Sequence, residues 1–203
     1  MISKIVFILP VIYFSISWYF PWDELTFWDS TISITYLYDL FFSLIVFFAF
    51  KSFSTIKITN GIIVRLIATA IISSLCVTIA KLSSLSAPFK YVDNLFIQIL
   101  ILAPIIEEIV FRYALFVPFQ KVFKGKRNLY LFNGVLFSAS HASALFILPE
   151  EFFGFIYFQI GYTFILGWLC AKARDESKSM IEPILLHFIF NLIFYIGVVK
   201  FGL

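Results

Sequence analysis

An apolar stretch at Ala103–Phe116 contains three ionisable side chains, Glu107, Glu108 and Arg112, and it restricts the fold more than any other feature of the chain. The surrounding run is long enough to cross a bilayer, where each charge at a helix centre costs about 2.5–3.5 kcal/mol on insertion scales. On a helix, Glu108 and Arg112 stand four residues apart and share a face, which suits an ion pair. Glu107 is rotated by about 100° from Glu108. We therefore predict that Glu107 is the carboxylate left free to meet water or a substrate.

The composition indicates a polytopic membrane protein. The 203 residues are 62% hydrophobic and only 13% charged, which is too apolar for a soluble fold of this size. Seven apolar segments of about membrane-spanning length lie at residues 5–20, 32–50, 61–80, 93–119, 129–148, 153–172 and 181–201. We predict an all-α transmembrane bundle of about seven helices, forming a single domain over residues 1–203. An eighth span would require splitting the 93–119 run or adding a re-entrant segment.

The distribution of basic residues predicts the orientation. If the N-terminus is cytoplasmic, ten of the 15 Lys and Arg residues fall on the cytoplasmic side, three fall outside, and Arg65 and Arg112 lie within spans. This is the positive-inside pattern, and it predicts an integral membrane protein with a cytoplasmic N-terminus and an outside C-terminus. The lipid bilayer is thus the first predicted partner. Nucleic-acid binding is not expected, because the basic residues form short scattered clusters and not a stripe.

Several smaller features bear on helix packing. Pro104 is predicted to kink the fourth helix and to expose backbone to a cavity. Gly134, Ser138 and Ala142, spaced by four residues, predict a seam of small residues where another helix packs closely. The polar residues 172–178 are predicted to form a loop between the last two spans.

Two further charges lie within predicted spans. Asp39 and Arg65 are interpreted as structural, either paired across the bundle or extended toward the interface. Neither carries a recognisable catalytic motif.

Both histidines of the chain lie in predicted spans. Phe137 and His141 stand one turn apart in the fifth segment, and His187 and Asn191 stand one turn apart in the seventh. A lone histidine in a helix is more often a hydrogen-bonded core residue than a catalyst. Here both histidines accompany a glutamate pair, an arginine and an asparagine, and a purely structural explanation would leave several costly buried polar groups without a function. The set therefore predicts a polar site inside the membrane.

The chemistry that this set predicts is amide hydrolysis. Glu107 and His141, brought together between helices, form an acid–base pair able to deprotonate a water molecule. His187 and Asn191 are donors suited to the oxyanion that develops when a carbonyl is attacked. Arg112 is expected to keep Glu108 ionised.

A metal site is an alternative use of the same residues. Glu107, His141 and His187 could together bind a divalent ion such as zinc. No HExxH motif occurs, and the three ligands would come from three separate helices. The residue list leaves both routes open, and we favour the one without a cofactor.

Three short motifs, in this order, resemble those of a known family: EExxxR at residues 107–112, FxxxH at residues 137–141 and HxxxN at residues 187–191. They are similar to the motifs of the CAAX-protease and bacteriocin-processing family, also called the Abi or type II CAAX prenyl endopeptidase family. The resemblance covers a motif-bearing core at about residues 93–195.

The resemblance implies an intramembrane endopeptidase with an all-helical core whose polar residues line a cavity. It implies that Glu107 activates water with His141 as its partner and that His187 and Asn191 bind the oxyanion. Glu108, Arg112 and Phe137 take supporting positions in the motifs. Eight spans are usual for prenyl-protein processing members, whereas seven are counted here. The expected substrate is a peptide or protein in or at the membrane, with or without a prenyl group.

Two other functions compete with this interpretation. A non-enzymatic immunity or binding protein could keep the fold and the motifs and act by occupying a partner. An ion-coupled transporter would also use intramembrane Glu, His and Arg, but the sequence shows no inverted repeat and few spans for that class.

Overall fold

The protein is a bundle of helices. The structure, a computed structural model, describes residues 2–20, 34–50, 56–88 and 95–201. The first three helices are α1 (Ile2–Tyr19), α2 (Ile34–Phe50) and α3 (Ile62–Leu82). The fourth segment, α4, spans residues 95–120 and is made of several short helical stretches. It is followed by α5 (Lys126–His141), the short α6 (Ala144–Ile147) and a 3-10 turn (Glu150–Phe152). The last two helices are α7 (Phe153–Ser177) and α8 (Ile181–Phe201).

The helices carry their apolar side chains outward as well as inward, as expected for a bundle in lipid. On α3, for example, Ile63, Val64, Ile67 and Ile71 are exposed. Within the described residues, four helical stretches are long and apolar enough to cross a membrane: Ile62–Leu82, Lys126–Ile147, Glu150–Ser177 and Ile181–Val199. Val6–Tyr19 and Thr35–Phe50 are shorter apolar helices. The prediction of an all-α transmembrane bundle is confirmed, while the number of seven spans, the single domain and the orientation stay predictions.

The fourth segment, predicted as an apolar span at 93–119 with a kink at Pro104, is built of several short helical stretches. It is interrupted by two π-helical stretches, Gln98–Leu102 and Ile109–Ala114. In the first stretch the N–H of Ala103 bonds to the carbonyl of Gln98, five residues back. The next bond in this register would join residue 104 to Ile99, but Pro104 has no N–H to donate. The Ile99 carbonyl is therefore open to another donor.

The polar residues predicted as a loop at 172–178 instead extend a helix. Helix α7 continues to Ser177 and ends at Lys178, which adopts a left-handed conformation with φ 58°. Neighbouring elements satisfy the polar side chains: Asp175 accepts a hydrogen bond from Tyr130 at 2.6 Å, and Arg174 donates to the Arg112 carbonyl at 3.3 Å. The loop prediction was wrong because residues of other helices provide the hydrogen-bond partners that water would provide in a loop.

The two isolated charges have separate partners. Asp39 on α2 accepts a hydrogen bond from Tyr13 on α1 at 2.9 Å. Arg65 on α3 pairs with Glu176 on α7 and with Glu182 on α8. Arg65 thus forms ion pairs across the bundle, whereas the partner of Asp39 is a neutral tyrosine on another helix.

A close contact between α5 and α7 holds the middle of the bundle. Ser138 donates a hydrogen bond to the Ile160 carbonyl at 2.6 Å. A Cβ atom on Gly167 would lie 3.0 Å from both the Gly134 Cα atom and the Phe137 Cβ atom. The predicted seam is present at Gly134 and Ser138, whereas the third member of the spacing lies just beyond the end of α5.

We expect Gly167→Ala to destabilise the protein by about 1–3 kcal/mol, because the added methyl group forces two helix backbones apart. Thermal unfolding in a fixed detergent measures the effect. Gly161→Ala on the same helix is the matched control, since a Cβ atom there meets nothing within 4 Å. Equal melting temperatures for the two variants would contradict the close contact.

Candidate functional site

A buried ion pair forms the base of the site. Glu108 and Arg112, one turn apart on α4, are both fully buried, and the carboxylate Oε2 lies 2.9 Å from the guanidinium Nε. The guanidinium carbon also stands 4.5 Å from the centre of the Phe137 ring on α5, within the range of a cation–π contact. The ion pair predicted from the spacing is confirmed.

His187 on α8 meets both glutamates. Its Nδ1 lies 3.0 Å from Glu108 Oε1, and its Nε2 lies 3.9 Å from Glu107 Oε2. The shorter distance is a hydrogen bond, and because an ionised carboxylate can only accept, Nδ1 is the donor. Glu108 therefore fixes the orientation of the ring and leaves Nε2 directed at Glu107.

His141 is held by the backbone of its own helix. Its Nδ1 lies 3.0 Å from the Phe137 carbonyl, which can only accept, so Nδ1 carries the proton. The Ser140 hydroxyl lies 3.2 Å from the same nitrogen. In the neutral ring Nε2 consequently has a free lone pair, as a proton acceptor requires.

Glu107 differs from its neighbour in both exposure and partners. Its side chain is 24% exposed, against 0% for Glu108. Its Oε2 atom accepts no hydrogen bond within the part of the chain that the structure describes. Glu107 is thus the less committed carboxylate, as its rotation on the helix predicts.

Asn191 follows His187 by one turn on α8. Its amide nitrogen donates a hydrogen bond of 2.9 Å to the Ile99 carbonyl, the group for which Pro104 cannot provide a donor. One of the two amide hydrogens is therefore committed to the π-helical stretch. The sequence does not indicate this contact, because it depends on a missing backbone bond in another segment.

One cavity of about 250 Å³ brings these groups together. Its lining includes Glu107, His141, His187 and Asn191, together with Ile99. Since a water molecule occupies about 30 Å³ in the liquid, the cavity has room for several waters or for a short piece of peptide. Phe137, also in the lining, stands edge-on to both imidazoles, with ring centres 5.0 Å from His141 and 5.6 Å from His187.

A second cavity, of about 570 Å³, adjoins the first. Tyr36, Glu107 and His141 line both cavities and so form the boundary between them. Asp39 lines the second cavity only. Sequence reasoning missed Tyr36 altogether, and the one available signal for this region was the charge of Asp39 within an apolar span.

The described residues contain no group of three His, Cys, Asp or Glu side chains arranged to hold a metal ion. Two of the three residues predicted as possible metal ligands, Glu107 and His187, lie close together, with Oε2 and Nε2 3.9 Å apart. That separation is too long for a hydrogen bond.

Fold and site together define an integral membrane helical protein with an acidic and histidine-lined cavity between its helices. Residues 94–193 match the profile of the family described as "Type II CAAX prenyl endopeptidase Rce1-like". This segment carries all three motifs, and the match supports the predicted resemblance to that family and a function of the CAAX-protease type. Neither the curated proteins nor the solved structures give a significant match to the chain.

Proposed function

We propose that the protein is an intramembrane endopeptidase that hydrolyses a peptide bond with a water molecule activated by Glu107 and His141. The observation that carries the proposal is the convergence of four side chains from three helical segments on one cavity: Glu107, His141, His187 and Asn191. A scattered set of structural polar residues would have no reason to share a cavity.

Water activation uses the two groups with free acceptor atoms. Glu107 Oε2 takes a proton as the water oxygen bonds to the carbonyl carbon, while Nε2 of His141 accepts a hydrogen bond from the second water proton. When the C–N bond breaks, Glu107 returns its proton to the amine nitrogen. The products are a carboxylic acid and an amine, which exchange the remaining water proton and leave as a carboxylate and an ammonium group.

The oxyanion is stabilised from α8. His187 donates from Nε2, which requires a proton on both ring nitrogens, and the Glu108 carboxylate at 3.0 Å from Nδ1 balances the resulting charge. Asn191 donates with the amide hydrogen that the Ile99 carbonyl does not use. Arg112 keeps Glu108 ionised, so the buried pair supports catalysis through His187 without touching the substrate.

We favour a route without a metal, because the Phe137 carbonyl already orients the His141 ring and leaves its Nε2 atom as a proton acceptor. The substrate is a peptide or protein in or at the bilayer, and the family description points to a prenylated one. The asymmetry of loop charge supports a cytoplasmic N-terminus and an outside C-terminus.

The test is a cleavage assay with the purified full-length protein in lipid nanodiscs. The probe is a fluorescent peptide that ends in a farnesylated cysteine followed by three residues, compared with its unprenylated counterpart. We expect release of a C-terminal fragment detectable by mass spectrometry, and His141→Ala is expected to slow it by about 10²–10⁴-fold.

Two results would contradict parts of the proposal. If neither peptide is cut, or if His141→Ala cuts as fast as the wild type, the hydrolytic role of the site is wrong. If EDTA abolishes cleavage and zinc restores it, the metal-free route is wrong and the alternative ligand set applies.

A further inference from the structure

The second cavity is built partly by helices that lie outside the family match. Helices α1 and α2 supply Tyr13, Trp18, Tyr36 and Asp39, while the matched segment 94–193 supplies Glu107 and the region around α6. A volume of about 570 Å³ falls within the range of about 300–1,000 Å³ typical of ligand sites. The cavity meets the catalytic groups at Glu107, so an extended peptide crossing the site would enter it.

Two polar atoms at this cavity, Asp39 Oδ2 and Trp18 Nε1, have no hydrogen-bond partner among the described residues. Asp39 is only 9% exposed, and Tyr13 donates to its Oδ1 at 2.9 Å, while Oδ2 accepts no hydrogen bond within the described chain. The indole N–H of Trp18 is buried and has no acceptor among the described residues. Buried indole N–H groups normally find a partner. The cavity therefore offers one unused acceptor and one unused donor, which match a peptide ligand.

The charged side chains in the described lining of the second cavity are acidic. Asp39 and Glu107 are carboxylates, and no Lys or Arg belongs to the lining in the described ranges. An unpaired carboxylate at membrane depth is unfavourable unless water or a cation compensates it. The aromatic faces of Trp18 and Tyr36 add favourable positions for a cation.

We propose that this cavity is a substrate subsite that binds the chain on one side of the scissile bond and selects a cationic side chain through Asp39. The inference rests on the proposed function for its role in catalysis. Trp18 donates to a substrate carbonyl, and Tyr13 holds the Asp39 carboxylate toward the cavity. Asp39 is thus a specificity-determining residue contributed by a helix that the family motifs do not include.

The test measures binding apart from cleavage. Full-length protein carrying His141→Ala is placed in nanodiscs and titrated with fluorescent farnesylated peptides that differ at one position near the bond, bearing lysine, norleucine or glutamate. The position is moved one residue at a time on either side of the bond. At one position we expect lysine to lower the Kd by about tenfold or more relative to norleucine, and glutamate to raise it.

Asp39→Asn is the informative variant, because the amide oxygen still accepts the Tyr13 hydrogen bond while the charge is removed. We expect it to abolish the preference for lysine. Glu150→Gln, the same chemical change at an exposed residue outside the cavity, is expected to retain it.

Equal Kd values for lysine and norleucine peptides at every position would overturn the inference, and so would a lysine preference that survives Asp39→Asn. The two proposals fail separately. A lysine preference in binding without any cleavage by the wild type supports the subsite and contradicts the protease, whereas cleavage without charge preference does the reverse.

Discussion

Glu107→Gln is expected to lower the rate of peptide cleavage by about 10²–10⁴-fold while leaving the fold intact. Glutamine has the shape of glutamate but cannot take a proton from water. The side chain accepts no hydrogen bond at Oε2 and is partly exposed to the cavity, so the substitution removes no hydrogen bond within the described chain. The loss should therefore fall on kcat.

The measurement is the nanodisc cleavage assay, with thermal unfolding run on the same samples. Glu150→Gln serves again as the matched control, because it makes the same change at an exposed position. Unchanged cleavage by Glu107→Gln would remove Glu107 from the chemistry. Lost cleavage together with a large fall in melting temperature would show instead a structural role.

Arg112→Ala has the largest expected effect on stability, a loss of about 3–5 kcal/mol. The substitution leaves the Glu108 carboxylate fully buried with its ion-pair partner removed. It also removes the guanidinium that lies over Phe137 at 4.5 Å. Thermal unfolding in detergent measures the effect, and Arg127→Ala, at an exposed position, is the control.

A double variant separates the two roles of this pair. Replacing Glu108 by Gln and Arg112 by Leu removes both charges, so most of the stability should return. Cleavage should stay low, because His187 loses the ionised acceptor for its Nδ1 proton. Full recovery of cleavage would show that the pair acts on stability alone.

The glutamate pair shows which side-chain contacts can be predicted from spacing in the sequence. Spacing along one helix is enough to predict that Glu108 meets Arg112 and that Glu107 turns away, since the helical period fixes which side chains share a face. The partner of His187 was beyond that reasoning, because Glu108 lies 79 residues away in the chain. Only the packing of α8 against α4 decides which glutamate the imidazole meets.

Asn191 and the polar residues at 172–178 show where local patterns fail. The motif predicts an oxyanion donor but does not indicate that one amide hydrogen bonds to the Ile99 carbonyl, which lacks a backbone donor because Pro104 has no N–H. The polar stretch indicates a loop, yet it is helical to Ser177 because other helices satisfy its side chains. In both cases the missing information is the identity of a hydrogen-bond partner on another segment.

The amino-acid sequence alone determined that this chain is a helical membrane protein, and it predicted polar motifs within the apolar segments. That follows because lipid offers no hydrogen bonds, so an apolar segment crossing it must satisfy its backbone as a helix. The tertiary structure decided that these groups share one cavity and that α1 and α2 add a second cavity beside it. Those features depend on how helices rotate and pack against each other, which side-chain shape governs and periodicity along one segment does not specify.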